Sequence, residues 1–146
     1  MQMNQITPDY TVSPQITPND VATIAAAGFK SIICNRPDAE NPPHLHMSEL
    51  RAAVESAGMH FFENPFPSPM MTLDHVQAQA DLLATIEKPV FAYCASGTRC
   101  SVVWSMVQAG EVETDTILSS IRNAGYNLDG LRPQIEQLAT QRETPK

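Results

Sequence analysis

The stretch Pro89–Trp104 reads PVFAYCASGTRCSVVW and places three structural signals in a row. Residues 89–93 are apolar and rich in aromatic or β-branched side chains, as in a strand that is covered on both faces. A loop of small residues, Cys94–Arg99, follows at once, and a helix is predicted from Cys100 or Ser101 onward. A buried strand that leads through a short loop into a helix is typical of an α/β sheet with mostly parallel strands.

Strand and helix signals alternate through the remainder of the chain. Prolines interrupt them in two loops, residues 35–43 and 64–71. We therefore predict one α/β domain over residues 1–146, with a mostly parallel central sheet, helices on both faces and frayed ends at residues 1–5 and 142–146. Ligands are expected at the carboxyl ends of the strands. The predicted strands cover residues 29–34, 59–63 and 89–93, and the predicted helices cover residues 18–27, 48–57, 73–87, 100–109, 116–124 and 131–141.

The composition excludes several classes of function. Nine Lys and Arg against 16 Asp and Glu give a net charge of −7, and the cations form no cluster. A nucleic-acid partner is therefore not expected, because phosphate neutralisation needs a basic face. A hydrophobic content of 42% suits a globular core, and no run of 18 apolar residues predicts a membrane span. The N-terminal residues lack the pattern of a secretion signal, so we expect a cytoplasmic protein.

The loop Cys94–Arg99 combines residue types that anion chemistry requires. A helix N-terminus presents unpaired amides and a positive dipole end, which lower the pKa of a nearby thiol and attract an anion. Gly97 allows the loop amides to converge, Arg99 supplies a planar fork of donors, and Ser101 can donate a hydrogen bond to the thiolate or to a leaving sulfur. An isolated buried cysteine is usually inert, but the order strand, glycine, arginine and helix favours a functional Cys94.

Three blocks of the chain carry a family resemblance. They are Tyr10–Gln15, Gly28–Lys30 with Ile33–Glu40, and Tyr93–Ser101 with Trp104. Together they resemble the beta-lactamase-hydrolase-like family, whose members look like small bacterial dual-specificity phosphatases in fold and have been named both phosphatases and sulfurtransferases. The resemblance implies a dual-specificity phosphatase-like fold for this chain.

The same resemblance implies roles for the loop residues. Cys94 is implied to be the nucleophile, and Arg99 is implied to hold the transferred group. The implied anion-binding loop consists of the amides of Ala95, Ser96, Gly97, Thr98 and Arg99, with Ser101 beside them at the start of the helix.

Two departures from the phosphatase pattern leave the activity open. Cysteine phosphatases usually place five residues between the cysteine and the arginine, whereas Cys94 and Arg99 have four between them, as in the six-residue loops of single-domain rhodaneses. Dual-specificity phosphatases also carry an aspartate about thirty residues before the nucleophile, which acts as the general acid and protonates the leaving oxygen. Residues 63–69 of this chain contain no aspartate. Asp38 is the first candidate substitute and Asp74 the second. Arg36 is expected either to pair with Asp38 or Glu40 or to help line an anionic site.

Three functions remain as hypotheses at this stage. The first is a cysteine-dependent phosphatase-like hydrolase that acts on a small phosphate ester or a phosphoprotein and forms a cysteinyl-phosphate on Cys94. The second is a rhodanese-type sulfurtransferase that carries a persulfide on Cys94. The third is a catalytically silent module that binds an anion. All three take a small anionic ligand, such as a phosphate ester, thiosulfate or a persulfide, and none requires a cofactor.

The other cysteines and the histidines have less specific signals. Cys100 is either a redox partner for Cys94 or a small residue that packs the helix on the sheet, and Cys34 is expected in the core. His44 and His46 lie close together, but no third ligand is spaced nearby, so no metal site is expected.

Overall fold

Five short strands form a single sheet in the computed structural model, which describes residues 1–143. The strand order is β1-β2-β5-β3-β4, in which β1 runs antiparallel to β2 and the other neighbours are parallel. The predicted mostly parallel sheet is therefore confirmed. The strands are β1 (Asn4–Thr7), β2 (Tyr10–Ser13), β3 (Ser31–Cys34), β4 (His60–Glu63) and β5 (Val90–Tyr93).

Helices cover both faces of this sheet, as predicted. Helices α1 and α2 pack on one face, and the other four pack on the opposite face. The helices are α1 (Val21–Ala26), α2 (Met47–Ser56), α3 (Leu73–Thr85), α4 (Thr98–Gln108), α5 (Thr114–Asn123) and α6 (Arg132–Glu143). None of these helices combines the length and the apolarity needed to cross a bilayer.

The central strand β5 shows why the sheet has two buried faces. Its side chains alternate, so that Val90 and Ala92 join the core under α3 to α6, while Phe91 and Tyr93 join the core under α1 and α2. All four residues are buried. A strand that is covered on both faces explains the continuous apolar run of residues 90–93.

The ends of the chain differ from the prediction. Strand β1 includes Asn4 and Gln5, which pair with Val12 and Thr11, so the fraying expected over residues 1–5 does not hold there. The Arg142 guanidinium lies in α6 and donates hydrogen bonds to three carbonyls at the end of α4, so the fraying expected from residue 142 is also wrong at that position. Residues 144–146 of the same prediction lie outside the described part of the chain.

A network of buried side-chain amides connects the loops that follow the parallel strands to helices α3 and α4. The Gln79 side-chain carbonyl in α3 accepts hydrogen bonds from the amides of Asn35 and Asn64 at 3.0 and 2.8 Å. The Gln79 amide in turn donates to the Tyr10 hydroxyl at 3.2 Å, and this hydroxyl donates to the Cys100 carbonyl at 2.9 Å. The loops after β3 and β4 are thereby fixed to α3 and to the first turn of α4, where the candidate site lies.

Candidate active site

Cys94 follows the last residue of β5, and backbone amides converge on its sulfur. The Gly97 amide donates a hydrogen bond to Cys94 Sγ at 3.1 Å, and the amides of Ser96 and Cys100 also donate to it. Gly97 has a φ of +96°, a left-handed conformation that favours glycine, and this turn directs the amides inward. The Cys94 side chain is buried beneath the loop.

These surroundings make Cys94 a thiolate at neutral pH. A hydrogen bond from the Cys100 side chain, together with the amides of Cys100, Gly97 and Ser96, outweighs burial and lowers the pKa of Cys94 from 9.0 to about 5. Burial and the neighbouring Cys94 raise the pKa of Cys100 well above its ordinary value, so Cys100 stays protonated and acts as the donor. Burial also raises the pKa of Cys34, a core residue as expected, to about 11.

The remaining loop residues bond mainly to one another. The Ser96 hydroxyl accepts a hydrogen bond from the Thr98 amide and donates to the Thr98 hydroxyl at 2.9 Å. The Ser101 hydroxyl donates to the Gly97 carbonyl at 2.9 Å and not to the Cys94 thiolate, one of the two acceptors expected for it. The Tyr126 hydroxyl donates to the Ser96 carbonyl at 2.9 Å, so a residue far along the chain holds the loop from outside.

Arg99 lies in the first turn of α4 and bonds to residues of two other loops. Its Nη1 and Nη2 atoms contact the two carboxylate oxygens of Glu40 at 2.8 and 2.7 Å. Nη1 also donates to the Phe66 carbonyl at 3.1 Å. The hydrogen bond from Arg99, followed by that from Arg36, lowers the pKa of Glu40, so this carboxylate is ionised.

The two carboxylates after β3 have different partners. Asp38 Oδ1 accepts a hydrogen bond from the Met47 amide at 2.8 Å, and therefore satisfies an amide at the start of α2. Glu40 instead pairs with Arg36 at 3.1 Å and with Arg99, which confirms one of the two pairings expected for Arg36. Glu40, rather than Asp38, is thus the carboxylate that contacts the loop arginine.

A cavity of about 640 Å³ opens beside the loop. Its wall includes Arg99 and is otherwise neutral, with proline, phenylalanine, methionine, leucine and valine side chains predominating. No group of three or more metal-ligating side chains occurs within residues 1–143. The cavity is lined by Phe66, Pro67, Ser68, Pro69, Met71, Ala95, Ser96, Thr98, Arg99, Val102, Leu131 and Gln134.

Three features of the site were missed from the sequence. The contact of Glu40 with Arg99 joins residues 59 positions apart. The Phe66 group that accepts from Arg99 is a backbone carbonyl, which every residue has, so the identity of the side chain does not reveal it. The bond from Tyr126 to the loop also gives no local signal. The spacing of Arg36 and Glu40, four residues apart, is the one feature that could have favoured Glu40 over Asp38.

Comparison with known proteins identifies the family to which this fold belongs. A family model described as "Beta-lactamase hydrolase-like protein, phosphatase-like domain" matches residues 2–111. A Beta-lactamase hydrolase-like protein from Agrobacterium fabrum is 31% identical over 130 residues, which is 88% of this chain and 30% of that protein. The chain spans about a third of the length of the curated relatives it matches.

Solved structures show the same architecture. A candidate phosphatase from Neisseria meningitidis is 33% identical with a TM-score of 0.83, over 94% of this chain and 99% of that one. The core catalytic domain of a PP-IP phosphatase from S. cerevisiae has a TM-score of 0.68 at 13% identity, over 96% of this chain and 91% of that one, and shares the fold. The fold is therefore that of the dual-specificity phosphatases, as predicted. The chain belongs to the beta-lactamase hydrolase-like family and matches its phosphatase-like domain.

Proposed function

We propose that this domain is a cysteine-dependent phosphatase-like hydrolase that acts on a small phosphate ester. The observation that carries the proposal is the position of Cys94 Sγ at the end of β5, where the Gly97 amide donates to it at 3.1 Å and Arg99 follows in the first turn of α4. In the first step the thiolate attacks phosphorus, the bond from phosphorus to the leaving oxygen breaks, and a cysteinyl-phosphate forms. In the second step water attacks phosphorus, which releases inorganic phosphate and returns the thiolate.

Arg99 and the loop amides have the electrostatic role in this scheme. Negative charge gathers on the equatorial phosphoryl oxygens as the transferred group passes from one partner to the other. Fixed N–H donors stabilise such charge without reorganisation. The loop amides bond to Cys94 Sγ and so stabilise the attacking thiolate, and we assign the phosphoryl oxygens to the Arg99 guanidinium. Cys94 is fully buried and does not line the cavity, so the scheme requires the loop to move before the phosphate can reach the sulfur from the side that Ala95, Ser96, Thr98 and Arg99 line.

The cavity wall indicates the class of substrate. One arginine can pair with one phosphate, and the apolar residues beside it can cover an apolar group attached to that phosphate. A polyphosphorylated ligand would place its further charges against neutral side chains, at a desolvation cost. We therefore expect a monophosphate ester with an apolar body, and the net charge of −7 disfavours acidic protein substrates.

A sulfurtransferase is the second candidate, and the loop length favours it. Four residues separate Cys94 from Arg99, and such a short loop can enclose a persulfide sulfur. The Cys94 thiolate would attack the outer sulfur of thiosulfate and form a Cys94 persulfide as sulfite leaves. An acceptor thiolate or cyanide would then take the outer sulfur and restore Cys94.

One paired assay separates these functions. The purified chain is tested for release of phenolate from an aryl phosphate and for thiocyanate formation from thiosulfate and cyanide. Cys94→Ser removes the nucleophile, and Cys34→Ser is the matched control because Cys34 is a buried thiol of the core. Hydrolysis that Cys94→Ser abolishes and Cys34→Ser preserves supports the phosphatase proposal, and thiocyanate formation with the same pattern supports sulfur transfer. Activity that survives Cys94→Ser would exclude both, and binding of phosphate without either activity would leave the anion-binding module.

A further inference from the structure

Arg99 is held on one side by two neighbouring loops. Glu40 lies in the loop after β3 and Phe66 in the loop after β4, and both loops start at the same edge of the sheet as the Cys94 loop. The Arg99 side chain is only 11% exposed, and its ion pair with Glu40 uses both carboxylate oxygens. A long arginine side chain that is restrained in this way cannot sample many rotamers.

We propose that Glu40 is a positioning residue of the active site, which holds Arg99 so that its Nε–Nη2 edge faces two oxygens of the substrate phosphate. This inference rests on the proposed phosphatase function, and it adds a residue that does not itself touch the substrate.

A count of the guanidinium hydrogens supports this role. A guanidinium group has five N–H donors. One Nη1 hydrogen is directed at Glu40 and the other at the Phe66 carbonyl, while one Nη2 hydrogen is directed at Glu40. The Nε hydrogen and the second Nη2 hydrogen have no bond to the described part of the chain. These two hydrogens lie on one edge of the guanidinium plane, in the geometry that binds two oxygens of a phosphate group.

Glu40 therefore need not leave before the substrate binds. Its carboxylate bonds to the Nη1–Nη2 end of the guanidinium, and the phosphate uses the Nε–Nη2 edge. Arg36 holds Glu40 from the other side. Its Nε donates to the Glu40 carboxylate at 3.1 Å, and its Nη2 donates to the Glu40 backbone carbonyl at 3.2 Å. Two guanidinium groups around one carboxylate leave a local excess of positive charge beside the anion site.

The test compares inorganic phosphate binding in the wild type, Glu40→Gln, Arg99→Ala and the double variant by isothermal titration calorimetry. Glu40→Gln keeps the size of the side chain but replaces one acceptor oxygen with an amide that cannot accept a bond from Arg99. The matched control is Glu63→Gln, which removes an equal charge at the same sheet edge, where Glu63 pairs with Arg51.

We expect Glu40→Gln to weaken phosphate binding about tenfold and Glu63→Gln to change it less than twofold, because only the former releases Arg99. In the Arg99→Ala background Glu40→Gln should have no further effect, because Glu40 acts through Arg99. A loss of stability alone would instead give the same factor in both backgrounds. With an aryl phosphate, Glu40→Gln should lower kcat more than it raises KM, since the charge on the phosphoryl oxygens is stabilised most in the transition state.

The failures can be distinguished. Suppose that the wild type binds phosphate and hydrolyses the ester, and that Glu40→Gln binds phosphate equally well or more tightly. This result would overturn the positioning role alone, because Glu40 would then have no effect on the phosphate or would compete with it for Arg99. Additive effects of the two substitutions would also overturn it. A wild type that neither binds phosphate nor hydrolyses the ester would overturn the proposed function and this inference with it.

Discussion

The hydrogen bond from Cys100 to the Cys94 thiolate can be removed by one substitution. Cys100→Ala deletes the donor and leaves the backbone amides of Ser96 and Gly97 in place. Because the Cys100 bond is the largest of the contributions that lower the pKa of Cys94, its loss should raise that pKa. Cys100→Ser keeps a donor group at the same position and should restore part of the effect.

The expected magnitude follows from the strength of such a bond. A hydrogen bond to a charged group contributes about 1.5–3 kcal/mol, and one pKa unit corresponds to about 1.4 kcal/mol. The pKa of Cys94, about 5 in the intact protein, should therefore rise by about one to two units in Cys100→Ala. The amides that remain should still hold it below the ordinary value of 9.0.

The far-ultraviolet absorbance of the thiolate measures this shift during a pH titration. The signal between about pH 3 and pH 8 belongs to Cys94 alone, because burial raises the pKa values of Cys34 and Cys100 above this window. Cys94→Ser should abolish the transition, and Cys34→Ser should leave it unchanged. A pKa in Cys100→Ala within about 0.3 units of the wild-type value would show that Cys100 does not stabilise the thiolate, and a wild type with no transition below about pH 8 would show that Cys94 is not ionised at neutral pH.

Three further outcomes follow from the contacts of the fold and site. Gly97→Ala should lower the free energy of unfolding in urea by about 1–3 kcal/mol and abolish phosphate binding, because the new Cβ would collide with the Tyr126 hydroxyl and the residue has a positive φ. The control is Gly130→Ala, whose Cβ meets open space, and its free energy of unfolding should stay within about 0.5 kcal/mol of the wild-type value. Gln79→Leu should cost about 2–4 kcal/mol by the same measurement, since two buried asparagine amides lose their acceptor; a cost below about 0.5 kcal/mol would contradict the network. Folding lowers the pKa of Cys94 from 9.0 to about 5, so the stabilisation by its thiolate grows between these pH values and is lost as pH falls toward 5. The free energy of unfolding of the wild type should therefore rise relative to that of Cys94→Ser by about 3 kcal/mol from about pH 6 to pH 8, and a constant difference would contradict this.

The sequence could predict those parts of the fold that depend on local pattern. Residues 90–93 form a continuous apolar run, and Thr72 precedes its helix as an N-cap whose hydroxyl accepts from the His75 amide, so both elements lie close to their predicted positions. Strands β1 and β2 lie outside the predicted strands, and β1, with the sequence NQIT, is mostly polar and gives no apolar signal. The pairing of β2 with β5, 80 residues away, stabilises this part of the sheet.

The candidate site shows where local reasoning ends. The loop and its helix were identified, but α4 begins at Thr98 and not at Cys100 or Ser101. Each residue turns a helix by about 100°, so this difference changes which side chains face the loop. In the structure Cys100 contacts Cys94, whereas Ser101 bonds back to Gly97. The assignment of Asp38 and Glu40 depends on contacts with Met47 and Arg99, which only the folded chain brings near.

The most direct test of the central claim is the capture of a phosphoryl group on Cys94. The protein is mixed with an aryl phosphate, quenched within milliseconds to seconds, digested and examined by mass spectrometry for the peptide that contains Cys94. We expect a cysteinyl-phosphate at Cys94 that forms before phosphate is released, that decays as turnover ends, and that is absent from Cys94→Ser. Hydrolysis of the ester with no phosphoryl group on Cys94 at any time, or with a phosphoryl group on another residue, would contradict it.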